Sequence, residues 1–170
     1  MDQHVQNAVE TIQERFNAET RSFRDQITLL VEPDQIINAC QVLRDEFSFK
    51  VLTDETAVDY WGRKEPRFEI VYQLHCREYN LRLFLRTTAA EENPTLPSMT
   101  AVFPNANWYE REIWDLFGIH FEGHPDLRRL LLPRDWEGHP LRKDQPIKVE
   151  DTRFSFNYKD VDPGKPRAKR

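Results

Sequence analysis

The stretch RFEIVYQLHCREYNLRLFLRTT, residues 67–88, has the clearest secondary-structure pattern in this chain. Apolar and polar side chains alternate through both halves of it, which is the period of a strand with one buried and one wet face. The short connection CREYN, residues 76–80, joins the halves and predicts an antiparallel hairpin. The predicted buried positions are Phe68, Ile70, Tyr72, Leu74 and Cys76 in the first half and Tyr79, Leu81, Leu83 and Leu85 in the second.

The residues before this hairpin predict a helix, a strand and a second helix. Helical spacing of apolar residues covers 4–18, the run ITLLVE at 27–32 is typical of a buried strand, and Pro33 suits the first turn of the next helix. Residues 48–61 are rich in strand-forming side chains, and Asp54 is a candidate turn position among them. The expected fold class is therefore α+β, an N-terminal helix–strand–helix with a mainly antiparallel sheet.

One further capped helix is predicted within PNANWYEREIWDLFG, after a surface loop at 89–98. Asn107 is the predicted N-cap, and Glu110 three residues later completes a capping-box pattern. Gly118 stands where a left-handed C-terminal residue belongs. Arg111 and Asp115 are spaced to pair on the helix surface.

Periodicity disappears after Gly118. Residues 119–170 hold six of the eleven prolines, yet they keep many large apolar side chains, from Phe121 and Leu127 to Phe154 and Phe156. An extended segment cannot bury these groups against itself, so they need another surface. We therefore predict a compact domain at 1–118 and an extended irregular C-terminal arm at 119–170, packed on its own domain and, beyond about residue 140, on a different subunit.

Composition excludes several classes of function. A net charge of -5 gives no general affinity for nucleic acid, and no apolar run is long enough to span a bilayer. The acidic N-terminus lacks the apolar centre of a signal peptide, and Cys40 and Cys76 are expected to be small core residues in a reducing cytoplasm. The basic tip, Lys165, Arg167, Lys169 and Arg170, is typical of a solvated end, or of one that contacts an acidic partner or lipid headgroups.

No catalytic constellation is predicted. Glu110 and Glu112 point in different directions on a helix, and Glu112 and Asp115 share a face without a nucleophile or a histidine. The competing hypothesis is a stand-alone metal-dependent enzyme, whose candidate ligands are His120, His124 and His139. The histidines lack nearby cysteines and an HExxH pattern, and glycine-rich phosphate loops are absent from the sequence, so this hypothesis is the weaker one.

Tryptophan and arginine are concentrated near the predicted third helix. Trp108, Trp114 and Trp136 lie beside several arginines, a combination that could stack on nucleic-acid bases. Interleaved acids weaken that interpretation, while tryptophan and arginine are the residue types that dominate protein–protein hot spots. The density of this segment therefore favours a protein interface, although core packing is the ordinary role of each tryptophan taken alone.

At residues 108–146 the sequence WYEREIWDLFGIHFEGHPDLRRLLLPRDWEGHPLRKDQP resembles the signature region of one family. This family is the C subunit of NADH:quinone oxidoreductase, the 30 kDa-type subunit of bacterial respiratory complex I. The upstream order of elements is also similar, so the resemblance covers most of the chain. Equivalent subunits of membrane-bound hydrogenases, formate hydrogenlyases and other complex I-like oxidoreductases stay open as alternatives, although the run DLRRLLLPRDWEGHPLRKD favours the quinone-reducing complex.

The resemblance implies a non-catalytic structural and assembly subunit of the hydrophilic arm. Such a subunit supports electron transfer from NADH through iron–sulfur clusters to quinone, coupled to proton translocation, by docking to the D subunit, which forms much of the quinone site. It implies further contacts with the cluster-bearing B and I subunits. No cofactor is expected on this chain, whereas the complex carries FMN and iron–sulfur clusters. The implied location is peripheral, at the cytoplasmic face of the bacterial inner membrane, with membrane contact only through the complex.

Within that expectation, the third helix packs Tyr109, Ile113 and Phe117 on the sheet, and its other side meets the partner. Arg128 and Arg129 are predicted to clamp carboxylates of the neighbouring subunit, because guanidinium groups bind carboxylates in a bidentate fashion. The full predicted interface set is Glu110, Arg111, Trp114, Asp115, His124, Asp126, Arg128, Arg129, Trp136 and Arg142.

Overall fold

The computed structural model describes residues 3–24 and 26–145. Within these residues the chain builds helices and a sheet in the predicted α+β order. The elements are α1 (Gln3–Phe16), β1 (Glu19–Phe23), β2 (Gln26–Leu30), α2 (Ile36–Glu46), β3 (Val51–Asp59), β4 (Phe68–Cys76), β5 (Leu81–Ala89), β6 (Thr95–Pro97), a 3-10 turn (Met99–Ala101), α3 (Ala106–Phe117) and β7 (His120–Glu122).

The main sheet has five strands in the order β1-β2-β5-β4-β3. Strands β4 and β5 form the predicted antiparallel hairpin, in which Phe68 lies opposite Ala89 and Cys76 opposite Leu81. In this sheet all neighbouring strands are antiparallel except β2 and β5, which are parallel. The connection between these two strands runs through α2, β3 and β4. The expectation of an α+β fold with a mainly antiparallel sheet is confirmed.

One face of the sheet carries the hydrophobic core. Alternate side chains of β4 and β5, including the fully buried Ile70, Tyr72 and Leu83, pack with residues of all three helices. Cys40 and Cys76 are buried free thiols within this core, as predicted. The core also takes in Ile119 and Phe121, at 0 % and 1 % exposure, so the chain just after Gly118 packs inward. The division at residue 118 stays a prediction.

Several local expectations need correction. Strand β1 has no counterpart among the predicted elements, because all five of its residues are exposed and leave no alternating apolar pattern. Asp54 does not make a turn; a β-bulge between Leu52 and Asp54 lets β3 run on as one strand. The predicted loop 89–98 contains β6, and the segment after Gly118 begins with β7; the two strands pair in parallel but are only three residues long, too short to show a period.

No helix among the described residues is long and apolar enough to cross a bilayer. The predicted basic tip and the large apolar side chains from Ile147 onward lie outside the described residues.

Candidate interface around the third helix

The buried carboxylate of Asp115 anchors the C-terminal arm to α3. Its Oδ2 accepts hydrogen bonds from three successive backbone N–H groups, those of Leu130, Leu131 and Leu132, at 2.8 to 3.0 Å. Its Oδ1 accepts a hydrogen bond from Arg129 Nη1 at 2.7 Å. The backbone of Leu130, Leu131 and Leu132 is thus held by one side chain of the helix. This contact explains how the arm has a defined conformation there without a periodic sequence pattern.

The electrostatics of this anchor favour the ionised carboxylate. Burial raises the pKa of Asp115, but the hydrogen bonds from Leu132, Arg129, Leu131 and Leu130 outweigh burial, and the net pKa lies below its ordinary value. Asp115 is therefore a charged group inside the protein at neutral pH, compensated by one guanidinium and a row of amides.

Arg129 connects Asp115 to the far side of the arm. Its Nη2 donates to the backbone carbonyls of Trp136 and Gly138 at 2.7 and 3.3 Å, and its guanidinium lies 5.8 Å from the ring centroid of Trp114. The predicted pairing of Asp115 with Arg111 along the helix is wrong. The arm delivers Arg129 to the carboxylate, while the Arg111 side chain turns to the arm's backbone.

Arg111 contacts the arm through carbonyl groups. Its Nε donates to the carbonyl of Arg128 at 3.1 Å and its Nη2 to that of Arg129 at 3.3 Å. The guanidinium also stacks 5.1 Å from the centroid of Trp108, whose side chain is 58 % exposed. The sequence predicts that Arg111 faces a partner subunit; in this chain it is 8 % exposed, covered by the arm itself.

The end of α3 is closed by Gly118 and His139. Gly118 has the predicted left-handed conformation, with φ of 74°. A Cβ at this position would come within 2.5 Å of the His139 ring, so glycine is required for space as well as for conformation. The His139 Nδ1 lies 2.9 Å from the Asp115 carbonyl, and the Leu141 N–H donates to the Leu116 carbonyl at 3.1 Å. These contacts hold the arm along the last turn of the helix.

A second charged anchor holds the arm at Lys143 and Asp144. Arg67, only 2 % exposed, donates from Nε and Nη2 to the Asp59 carboxylate at 2.9 and 2.8 Å and from Nη1 to Glu91 and Asp144, each at 3.0 Å. Asp59 also accepts the Lys143 N–H at 2.8 Å. Arg67 directly precedes β4 and Asp59 ends β3, so the arm is tied to the sheet as well as to α3.

Asp59 and Arg67 of this second anchor are both charged at neutral pH, as the shifts of their pKa values indicate. Burial raises the pKa of Asp59, but hydrogen bonds from Arg67, Lys143 and Trp61 lower it to about 2. The hydrogen bond to Asp59 raises the pKa of Arg67 above its ordinary value. Sequence reasoning missed this site, because Asp144 lies 77 residues from Arg67 along the chain.

Glu110 lies on the opposite side of α3, in the core, and does not cap the helix. Its carboxylate accepts hydrogen bonds from Ser98 Oγ and from the Met99 N–H, in the turn before α3. Asn107 lies within the first turn of the helix, and the residue at the N-cap is Asn105, without a capping side-chain hydrogen bond. The predicted capping box is thus wrong, because the loop at 98–99 offers Glu110 donors that the helix's own first turn does not.

Glu110 shares the interior with a second acid. Glu55 is 3 % exposed, and both its carboxylate oxygens are buried without a hydrogen-bond partner among the described residues. Burial, then the neighbouring charges of Glu110 and Asp54, raise the pKa of Glu55 well above its ordinary value. Burial also raises the pKa of Glu110, against the hydrogen bonds from Ser98 and Met99, to about 7. The protein therefore buries acids that are protonated at mildly acidic pH.

Replacing Glu110 by glutamine is expected to flatten the pH dependence of stability. The pKa of Glu110 rises from 4.5 in the unfolded chain to about 7 in the folded protein, so protonated Glu110 stabilises the fold. This contribution is fully present below pH 4.5 and is lost as the pH rises through about 7. Between about pH 5 and 7 the wild-type free energy of unfolding should fall by about 2 kcal/mol more than that of Glu110→Gln. Urea unfolding of the full chain, followed by tryptophan fluorescence, measures this difference. Glu112→Gln, exposed on the same helix, is the matched control; a Glu110→Gln slope equal to that of the control would contradict the assignment.

The three histidines of the metal hypothesis have separate environments. His120 is exposed on β7. The fully buried His124 side chain has Nε2 at 3.2 Å from the Asn107 carbonyl, and its Nδ1 accepts the Asp126 N–H at 3.0 Å. His139 contacts the Asp115 carbonyl instead. Across residues 3–24 and 26–145, no cluster of three or more histidine, cysteine or acidic side chains could hold a metal ion.

The predicted interface residues divide into a buried and an accessible group. Glu110 and Asp115 are fully buried, so they influence a partner only through the segments that they hold in place. Arg142 lies over the Phe68 ring at 5.2 Å, within its own chain. The accessible part is a groove of about 590 Å³ between α3 and the arm. It is lined by Arg111, Trp114, Leu127, Arg128, Arg129 and Arg134.

Large apolar side chains are exposed on the arm and on α3. Leu131, Trp136 and Leu141 of the arm are 61 %, 40 % and 50 % exposed, and Trp108 of α3 adds to them. Scattered exposed residues are normal, but tryptophan and leucine concentrated along one segment mark an interaction surface. Of the predicted set, Trp114, Arg128, Arg129 and Trp136 belong to this surface, and their interface role stays a prediction.

Comparison with known proteins assigns this arrangement to a family. Residues 29–151 match the family model described as respiratory-chain NADH dehydrogenase, 30 Kd subunit. The chain is similar to the C subunit of NADH-quinone oxidoreductase from Roseiflexus sp. (strain RS-1), with 46 % identity over 86 % of this chain and 85 % of the relative. It is also similar to the C subunit from Geobacter sulfurreducens, with 40 % identity over 85 % of this chain and 91 % of that protein.

Two solved structures have similar folds. The trypsin-resistant fragment (1-134) of Nqo5 superimposes with a TM-score of 0.65 at 28 % identity, over 73 % of this chain and 99 % of the fragment. A chain of the membrane-bound sulfane sulfur reductase, an archaeal respiratory membrane complex, superimposes with a TM-score of 0.73 over 99 % of this chain and 97 % of that one. At 21 % identity, the second likeness shows the fold alone.

Proposed function

The chain belongs to the family of the 30 kDa subunit of respiratory-chain NADH dehydrogenase, and on this basis we propose that it is a non-catalytic scaffold and assembly subunit of an NADH:quinone oxidoreductase. Homologues in this family are subunits of multi-subunit respiratory complexes, so its partners are other subunits of complex I. In the proposal, the chain sits in the hydrophilic arm and holds neighbouring subunits in the geometry that electron transfer from NADH to quinone requires.

The observation that carries this proposal is the use of charge around α3. Asp115 and Arg129, within the signature at 108–146, and Arg67, outside it, are charged groups that bond to the backbone and side chains of the arm. They fold a segment without periodicity into a fixed shape, while Trp108, Leu131, Trp136 and Leu141 stay exposed around it. A preformed edge with uncovered apolar side chains is typical of a docking surface.

The proposed docking partner of this surface is the quinone-site D subunit, with further contacts to the cluster-bearing B and I subunits. Residues 119–170 serve as the arm, which is proposed to pack on its own domain and, beyond about residue 140, on partner subunits. Association with the membrane is indirect, through the complex, at the cytoplasmic face of the inner membrane. Nucleic acid is not a proposed partner, in keeping with the net charge of -5.

Electron-transfer cofactors are proposed to reside on the other subunits. FMN, the iron–sulfur clusters, NADH and quinone belong to the complex, and this chain supplies neither ligands nor catalytic residues to them. Support comes from Arg111, Asp115 and His139, whose polar groups make hydrogen bonds and ion pairs within the fold. Coupling of electron transfer to proton translocation is likewise a property proposed for the whole complex.

Affinity purification of the tagged full chain from its native membranes, in mild detergent, tests the proposal. Flavin- and cluster-bearing subunits are expected to co-isolate, with absorbance of flavin and iron–sulfur centres and NADH:quinone activity in the eluate. The identity of the co-isolated subunits also decides between NADH and another electron donor. The same chain expressed alone is the control and should lack these absorbance bands.

Recovery of a free chain without other subunits would contradict the scaffold function. A stoichiometric metal together with turnover by the isolated chain would support the stand-alone enzyme instead. Salt-sensitive binding of the isolated chain to DNA, without co-isolated subunits, would favour a nucleic-acid binder.

A further inference from the structure

We infer that the groove between α3 and residues 127–134, here called the arginine groove, binds an acidic peptide segment of a partner subunit. The segment places carboxylates at Arg128 and Arg134 and an apolar side chain against Trp114 and Leu127. This inference rests on the proposed function and gives the chemistry of the partner at that surface.

The charge of the arginine groove is opposite to that of the chain as a whole. Four arginines line it, and no acidic side chain among the described residues does. Two carboxylates, those of Asp115 and Asp126, pair with Arg129 and Arg128, which leaves a surplus of two positive charges in a chain of net charge -5. Arg134 is exposed and takes part in no ion pair within residues 3–24 and 26–145. A concave surface with this surplus attracts anionic groups.

The inner arginines of the groove are held in place before a partner arrives. Arg111 is bonded to the carbonyls of Arg128 and Arg129 and stacked on Trp108. Arg129 is bonded to Asp115 and to two carbonyls of the arm. Because these side chains are already ordered, a partner that binds here meets a low entropic cost. They form the positive wall of the groove, and Asp115 is what positions it.

The outer arginines are the groups available to recognise a carboxylate. The Arg128 side chain is 64 % exposed, and its pairing with Asp126, at 2.9 Å, is also exposed and weak. A partner carboxylate can displace that contact and bind the guanidinium fork in a bidentate fashion. Arg134, which lines the same groove, offers a second fork.

The apolar side chains of the groove favour a peptide over a phosphate polyanion. Trp114 and Leu127 are half-buried and line the same space as the arginines. A lipid headgroup or a nucleic-acid backbone would pair with the arginines but would leave Leu127 without a matching group. A segment with alternating acidic and apolar side chains satisfies both, and arginine beside tryptophan is the composition of interface hot spots.

Charge reversal in the complex tests this inference. The double variant Arg128→Glu/Arg134→Glu, purified from native membranes as a tagged full chain, is expected to recover partner subunits roughly tenfold less well per bait than the wild type, or worse. The matched control is Arg21→Glu/Arg82→Glu, the same change of charge at exposed positions on β1 and β5. Circular dichroism and thermal unfolding of each isolated chain check that both variants remain folded.

Cross-linking identifies the occupant. In Arg128→Lys/Arg134→Lys complexes, a carbodiimide joins each new lysine amine to a carboxylate that lies against it, and mass spectrometry of the amide-linked peptides gives the partner residue. We expect links to aspartate or glutamate on another subunit. Links only to Asp126 or to the chain's own residues after 145 would overturn the inference.

The outcomes separate this inference from the proposed function. If the wild type co-isolates the other subunits and charge reversal changes nothing, the chain is a subunit but the groove is not its acidic-peptide site. Binding of the wild type and the charge-reversed variant to vesicles of anionic phospholipid tests the headgroup alternative. If charge reversal abolishes vesicle binding but leaves recovery of the partner subunits unchanged, the groove is a headgroup site and the inference fails. A wild-type chain that recovers no subunits would overturn both.

Discussion

Asp115→Ala is expected to lower the free energy of unfolding by about 3–5 kcal/mol, the range measured when one partner of a buried ion pair is removed. The substitution leaves the Arg129 guanidinium and the N–H groups of Leu130, Leu131 and Leu132 without their shared acceptor. Each of these donors then has to find water or stay unsatisfied, and the arm loses its attachment to α3. Urea unfolding of the full chain at neutral pH measures the loss.

Local loosening of the arm gives a second readout for Asp115→Ala. Peptide bonds after Arg128, Arg129 and Arg134 are expected to become accessible to trypsin much sooner than in the wild type, since opening of the arm exposes them. Because the pKa of Asp115 lies below its ordinary value, the wild-type contribution is present at neutral pH and is lost as the pH falls through the folded-state pKa. The difference between variant and wild type should therefore shrink in acid.

Asp126→Ala is the matched control for this prediction. Asp126 also pairs with an arginine of the arm, at 2.9 Å, but both side chains are more than half exposed. Its removal should cost no more than about 1 kcal/mol. An Asp115→Ala variant as stable and as protease-resistant as Asp126→Ala would show that the carboxylate does not anchor the arm.

Arg67→Met is expected to be similarly destabilising, by about 3–5 kcal/mol, although Arg67 lies outside the signature at 108–146. Methionine preserves much of the side-chain volume but leaves Asp59 buried beside Glu91 and Asp144 without their common cation. In the wild type, hydrogen bonds from Arg67, Lys143 and Trp61 hold the pKa of Asp59 at about 2. Loss of Arg67 removes the largest of these stabilising contacts, so the Asp59 carboxylate is protonated at a higher pH in the variant than in the wild type. Chemical unfolding of the full chain measures the effect, and the variant is expected to recover part of its lost stability as the pH is lowered and the acids are protonated.

A double-mutant cycle isolates the Arg67–Asp59 pair. Arg67→Met/Asp59→Asn should cost less than the sum of the single variants by about 0.5–3 kcal/mol, the coupling typical of residues in direct contact. Arg21→Ala, whose pairing with Glu19 at 3.6 Å is exposed, is the control and should change stability by less than about 1 kcal/mol. Strict additivity of the two substitutions would mean that the pair does not act as a unit.

The two anchors differ in how far the sequence reveals them. Asp115 and Arg129 stand in a dense run of charged and aromatic side chains, which marks both as interface candidates. In the structure the two residues, 14 positions apart, form an ion pair in which the Asp115 carboxylate is fully buried. Nothing in the sequence singles out Arg67, because its polar partners lie 8, 24 and 77 residues away and no local spacing connects them.

Local sequence patterns are enough to predict the hairpin β4–β5, the helix α2 and the C-terminal end of α3, because alternation, helical spacing and a left-handed glycine depend on residues close together in the chain. The signature at 108–146 is likewise enough to identify the family. Which donor each charged side chain meets depends on contacts between distant parts of the chain and is visible only in the folded molecule. Glu110 bonds to Ser98 and Met99 in place of its predicted cap, and Asp115 bonds to the arm in place of Arg111. Burial favours the arrangement that surrounds a carboxylate with the most donors, whatever their distance along the chain.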